Sequence, residues 1–168
     1  MEEVEIKLES PRFKILFDDE ISSESVNSLI ENIFSYQSVD LYVTTPGGAL
    51  HAMDVLIDAI NEHPDIKVIL CGAVCSAGTF LLTDVKCEVV IHENLDFIMI
   101  HGADRQTEGQ WRKYALDYDI LKGQLDLCNQ ERAKKFKSIG IPKKLIDKYL
   151  KGEDVYLYRE DLKKLKIN

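Results

Sequence analysis

Cys71-Gly72-Ala73-Val74-Cys75-Ser76-Ala77-Gly78-Thr79-Phe80 sets one serine among small residues, directly after the apolar run Ile66–Leu70. The run predicts a buried strand, and Ala77 onward (Thr79, Phe80, Leu81, Leu82) predicts a short apolar helix. Ser76 then falls where a strand hands over to a helix N-terminus. Free backbone N–H groups at such a junction can stabilise a developing oxyanion. Gly72, Ala73, Ala77 and Gly78 leave room for another backbone to approach closely. A serine between small residues also serves as a plain helix cap, so the surrounding chain decides between nucleophile and cap.

Outward from this turn the chain alternates strand and helix. Phe13, Ile15 and Phe17 alternate with Arg12, Lys14 and Leu16, as in a strand, and Asp18-Asp19-Glu20 makes a turn. Ser22 or Ser23 caps a helix whose Val26, Leu29, Ile30, Ile33 and Phe34 form one apolar face. Leu41-Tyr42-Val43 is a short strand running into Thr44-Thr45-Pro46-Gly47-Gly48, and a second amphipathic helix turns Ala52, Met53, Val55, Leu56, Ala59 and Ile60 inward. Beyond Ser76 come strands at Glu88–Ile91 and Phe97–Ile100, the latter ending at His101. Alternation of this kind predicts a mostly parallel sheet flanked by helices. Ligands of such sheets bind at the carboxyl ends of the strands, and Gly47-Gly48, Ser76 and His101 all lie just past strand ends.

The remainder is helical. Glu108–Ser138 carries helical spacing (Trp111, Tyr114, Ala115, Tyr118, Leu121, Leu125, Cys128, Ala133, Phe136) over a length that predicts packing outside its own domain. Pro142 opens a shorter helix through Leu150, Gly152 ends it, Val155–Leu157 is a last strand, and Arg159–Leu165 a final basic helical turn. Residues 1–11 form an arm.

With 168 residues, 45% hydrophobic and 30% charged, the chain suits one globular domain with a real core. A net charge of −8 with scattered Lys and Arg speaks against a nucleic-acid groove or an anionic membrane surface as partner. No apolar run approaches the ~18–20 residues that span a bilayer. The start Met1-Glu2-Glu3 does not resemble a secretory signal, and the expected location is cytoplasmic. Cys71, Cys75, Cys87 and Cys128 show neither a C-x-x-C pair nor a histidine at zinc-ligand spacing. Reduced interior thiols are expected, and no metal site.

A serine hydroxyl is a poor nucleophile near neutrality unless a base takes its proton and an acid holds that base in one tautomer. Of the four histidines, His51 stands near a helix start, His63 precedes a proline in a polar turn, and His92 ends a strand beside Glu93; all three read as surface or turn residues. His101 differs: it ends the very apolar Phe97-Ile98-Met99-Ile100 and is followed by Gly102. Asp96, Asp104, Asp126 and Asp154 are all available as the acid, and periodicity does not choose among them.

Four motifs in order carry a resemblance: Thr45-Pro46-Gly47-Gly48, Gly72-Ala73-Val74-Cys75-Ser76-Ala77-Gly78 with Phe80-Leu81-Leu82, Met99-Ile100-His101, and Asp154-Val155-Tyr156-Leu157. Together they resemble the Clp-type proteolytic subunit, the caseinolytic serine peptidase, over roughly residues 12–168. His101 follows Ser76 by 25 residues and Ser76 follows Gly47 by 29, spacings that fit the family. The resemblance implies an α/β fold, a ClpP/crotonase-like spiral of βαβ units with a protruding handle helix at about residues 102–138. It implies Ser76 as nucleophile, His101 as general base and acid, and Asp154 as the residue that orients His101. The backbone N–H groups of Gly47, with Gly48 as the second choice, and of Ala77 would form the oxyanion hole. A polypeptide substrate would lie as an added strand between the glycine turn and the segment after His101, which makes Gly102, Ala103 and Asp104 substrate-binding residues. No cofactor is implied, ATP entering only through an AAA+ unfoldase partner. The family also implies a homo-oligomer, a heptameric ring or two stacked rings.

This sequence departs from the pattern in four places. Cys75 stands where the family usually has alanine, placing an oxidisable thiol beside the nucleophile. Gly102-Ala103-Asp104-Arg105 replaces the usual Gln-Pro, and Gly152-Glu153 replaces an acidic residue and an arginine that pair across the ring interface. The N-terminal arm is shorter than the axial segment that docks an unfoldase. A divergent, phage-type member fits these departures. Two other functions stand beside the peptidase: a catalytically silent ring-forming scaffold, and a crotonase-like acyl-CoA enzyme, which shares the spiral and the backbone oxyanion hole but gives no reason for a Ser/His/Asp set.

Overall fold

A computed structural model describes residues 11–102 and 115–167. Four strands lie parallel in sequence order: β1 (Phe13–Asp18), β2 (Val39–Thr45), β3 (Ile66–Cys75) and β4 (Val89–Ile100). β5 (Val155–Leu157) joins β4 antiparallel. Helix α1 (Ser23–Phe34) links β1 to β2, α2 (Leu50–Glu62) links β2 to β3, and a 3₁₀ helix (Ser76–Leu82) leaves β3 toward β4. Each step adds its strand beside the last, giving the α/β spiral of βαβ units that the sequence predicts. Parallel neighbours need crossovers, and crossovers of one hand advancing in one direction put α1 and α2 side by side on one face.

The core follows the two periodicities. Val39, Leu41 and Val43 alternate inward along β2, and all are buried. Val26, Leu29 and Ile33 of α1, with Met53, Leu56 and Ile60 of α2, cover them at helical spacing. Each such side chain taken fully out of water contributes about 1.5–3 kcal/mol. Ser22 is the cap of α1: its Oγ accepts from Ser25 N–H at 3.1 Å, while Ser25 Oγ accepts from Ser22 N–H at 3.0 Å, a reciprocal pairing that fixes the helix start. Arg12 ties strand ends together, donating to Asp40, Asp65 and the Val39 carbonyl.

α3 (Ala115–Ser138) docks through its C-terminal part, where Ala133 and Phe136 are buried and the Phe136 ring meets Tyr149 of α4 (Lys143–Leu150) edge-on at 5.6 Å. Residues 122–124 and 126–128 are exposed, Leu127 to 62%. α5 (Arg159–Leu162) follows β5.

Several expectations need correction. β3 continues past Leu70 to Cys75, because a register shift around Gly72, at φ +56°, carries the strand through residues that look like a turn. The two strands expected at Glu88–Ile91 and Phe97–Ile100 are one strand, β4, which starts at Val89, so His92 lies inside it rather than at an end. Val55 is 50% exposed and Phe34 lies on the surface beside His63. His63 is buried, its Nε2 3.0 Å from the Tyr36 carbonyl and its Nδ1 accepting from Asp65 N–H. Cys128 is exposed, whereas Cys75 is buried and Cys71 and Cys87 are half-buried. The part of the long helix expected before Ala115 and the arm up to residue 10 lie outside the described residues.

Candidate active site

The carboxyl ends of β2, β3 and β4 meet in register: Thr45 pairs with Val74, and Cys75 with Met99. The next residues along these strands are the glycine turn, Ser76 and, after Ile100, His101. Ser76 has φ +52°, the one positive φ at a non-glycine among the described residues. Only strain compensated by its surroundings keeps an L-residue there, and at a strand-to-helix turn this conformation pushes the side chain out of the backbone path. Ser76 Oγ stands 2.6 Å from His101 Nε2, a hydrogen bond.

Asp154 arrives by a different route. Antiparallel pairing sets Ile100 opposite Val155, so one residue further along β4 and one back from β5 bring His101 opposite Asp154. Asp154 Oδ1 is 4.0 Å from His101 Nδ1, and the carboxylate side chain is 54% exposed. The other carboxylates weighed as partners do not take this position: Asp96 points off β4 and Asp126 off α3, both exposed, while Asp104 lies outside the described residues, as does Ala103. Gly102 is in place, with Asn129 so near that an added Cβ would meet its Nδ2 at 3.2 Å.

The turn before α2 is built around Ser76. Gly47 has φ +101°, and a Cβ there would sit 2.5 Å from Ser76 Cβ. Gly48 has φ +148° and bridges Ile21, where a Cβ would strike the Ile21 backbone. Ile21 N–H donates to Gly47 O, and Ala49 N–H donates to Ile21 O, both at 2.8 Å. The Gly47 N–H donates to Thr45 Oγ1 at 3.0 Å, in a fully buried contact. Of the two glycine amides considered for an oxyanion hole, that of Gly47 is therefore engaged by Thr45. The Gly48 amide meets no hydrogen-bond partner among the described residues. Ala77 N–H belongs to the first turn of the 3₁₀ helix, where backbone donors have no partner within the helix.

These features match a known family. The sequence model of the Clp protease family matches residues 8–135. The chain belongs to the Clp protease family. The match takes in the glycine turn, Ser76 and His101 and ends before Asp154, and family membership supports a peptidase function and assembly into an oligomeric ring. Among the described residues of this family member, no helix is long and apolar enough to cross a membrane.

A cavity of about 160 Å³ opens beside Ser76 and His101, walled by Ala77, Phe80, Asn129, Arg132 and Tyr149 among others. Tyr149 is buried, which pushes its hydroxyl up to about 12, and it donates to Asn129 Oδ1 at 3.2 Å. A larger open groove of about 710 Å³ between β1 and α1 contains neither Ser76 nor any histidine. Burial pushes the Cys75 thiol up, outweighing the opposing effect of the Met99 backbone, so the cysteine beside Ser76 stays protonated and poorly nucleophilic. The sequence reading does not single out Arg132 or Asn129 as site residues. Their signal was present: Leu125, Asn129, Arg132 and Phe136 share one stripe of α3 at spacings of four, three and four, and polar residues within an inward stripe call for a reason.

Proposed function

We propose that the chain is a serine endopeptidase that hydrolyses peptide bonds of unfolded proteins or peptides through an acyl-enzyme on Ser76, within a ring of identical copies. The observation that carries this reading is the 2.6 Å contact of Ser76 Oγ with His101 Nε2, made by a serine in a left-handed conformation at a strand end. With the proton on Nδ1, neutral His101 accepts the Ser76 proton as Oγ attacks the scissile carbonyl. The tetrahedral oxyanion is received by the N–H groups of Gly48 and Ala77. The protonated His101 then passes its proton to the leaving amine, and water, deprotonated by the same histidine, releases the acyl group. Asp154 faces the Nδ1 side of the ring, where a carboxylate favours this tautomer and the imidazolium that follows. The reaction needs no cofactor. The substrate adds as a strand between the glycine turn and residues 102–104, held mainly through its backbone.

Ring assembly is supported by the family. The test is turnover of a fluorogenic unfolded protein by the assembled enzyme. Ser76→Ala and His101→Ala should each lower kcat by about 10³-fold or more. Unchanged turnover in either variant rejects the reading.

A further inference from the structure

Among the described residues, the cavity of about 160 Å³ described above borders Ser76, where the carbonyl carbon of a bound substrate would lie. That volume suits one side chain. Its wall is polar in an unusual way. The Arg132 guanidinium lies 3.3 Å above the centre of the Phe80 ring, and its side chain is 12% exposed. Nη1 donates to Thr83 Oγ1 at 3.0 Å and to Asp84 Oδ2 at 2.9 Å. Asp84 is also contacted by Lys135 Nζ at 3.0 Å, so one carboxylate answers two cations. Among the described residues, Arg132 Nε and Nη2 have no acceptor. Glu131 and Asp54 also line the cavity, but both are exposed, and solvent screens charges at such positions.

A guanidinium fixed by stacking and by one nitrogen keeps its remaining donors at little entropic cost. An apolar side chain entering the cavity would strip water from those donors and return nothing, whereas a carbonyl or carboxylate oxygen would replace the water. We propose that this cavity selects a glutamate or glutamine at the acyl side of the scissile bond, with Arg132 as the specificity-determining residue. The inference rests on the peptidase reading of Ser76.

The experiment is cleavage of a fluorogenic peptide set that differs only at that position (Glu, Gln, Leu, Phe, Lys), with fluorophosphonate labelling run in parallel. The wild-type enzyme should favour Glu and Gln over Leu by about 10-fold or more in kcat/KM, the worth of a hydrogen bond to a charged group. Arg132→Leu should reverse the order, and Arg132→Lys should keep a reduced preference. The wild-type order stands as a test even if a variant fails to fold. Cleavage that favours Leu or Phe in the wild type overturns the inference and leaves the peptidase reading intact. Absence of both cleavage and labelling overturns the two together.

Discussion

His101 Nδ1 and Asp154 Oδ1 are 4.0 Å apart, within ion-pair reach but longer than a hydrogen bond. The distance reflects where Asp154 sits, just ahead of a three-residue strand and more than half in water. A carboxylate so placed aids the histidine less than a buried, hydrogen-bonded one. Asp154→Asn should therefore lower kcat by about 10- to 100-fold less than Ser76→Ala does. Steady-state hydrolysis of one peptide by the three proteins measures this, and an equal loss in both variants contradicts it.

The glycine turn tolerates no side chain. At Gly47 a methyl group would meet Ser76 itself, and at Gly48 the Ile21 backbone, with both glycines at positive φ. Gly47→Ala and Gly48→Ala should each destabilise the protein by about 1–3 kcal/mol or more and abolish turnover. Urea denaturation and hydrolysis assays check the two effects, and a fully active Gly48→Ala protein would contradict the geometry.

Thr45 is expected to act through the turn as a positioning residue. Its hydroxyl is the acceptor for the buried Gly47 amide. Thr45→Val leaves that donor unsatisfied, at about 1–3 kcal/mol, and frees the turn to shift relative to Ser76. The expected signature is a fall in kcat with little change in KM, and recovery in Thr45→Ser. Loss of stability with kcat unchanged would mean that Thr45 serves the fold alone.

Asp84 supplies a pH-dependent part of stability. Burial alone would raise its pKa, but Thr83, Lys135 and Arg132 together hold it below the ordinary carboxylate range. Its native pKa lies below the unfolded value of ~3.9, so its contribution is complete above that value and is lost as pH falls through the native one. Asp84→Asn leaves Arg132 without its partner and should cost about 3 kcal/mol at neutral pH. Urea titrations should show the gap from wild type narrowing below pH ~4, and a gap independent of pH would exclude this role.

The order of elements and the strand-end positions of Ser76, His101 and Gly47-Gly48 were legible because core periodicity and glycine placement are local properties. What was not legible depends on the sheet as a whole. Gly72 reads as a turn residue, yet it carries β3 through a register shift. His92-Glu93-Asn94 reads as polar punctuation, yet β4 runs through it as one strand. His63 looks like a surface residue until the chain brings Tyr36 and Phe34 against it. The pairing of His101 with Asp154 rather than Asp96 or Asp126 follows from the antiparallel register of β5, which no spacing along the sequence encodes. Arg132 had a helical position that hinted at the interior. Its partners Thr83 and Asp84 are about 50 residues away and meet it only through tertiary packing.

The proposed peptidase function requires Ser76 to be a nucleophile activated by His101. A serine so activated attacks the phosphorus of a fluorophosphonate and displaces fluoride, and mass spectrometry of the digested protein locates the adduct. One adduct is expected, on Ser76, in the assembled protein, absent from Ser76→Ala and strongly reduced in His101→Ala. An unlabelled Ser76 in assembled wild-type protein, or labelling that survives intact in His101→Ala, would contradict it.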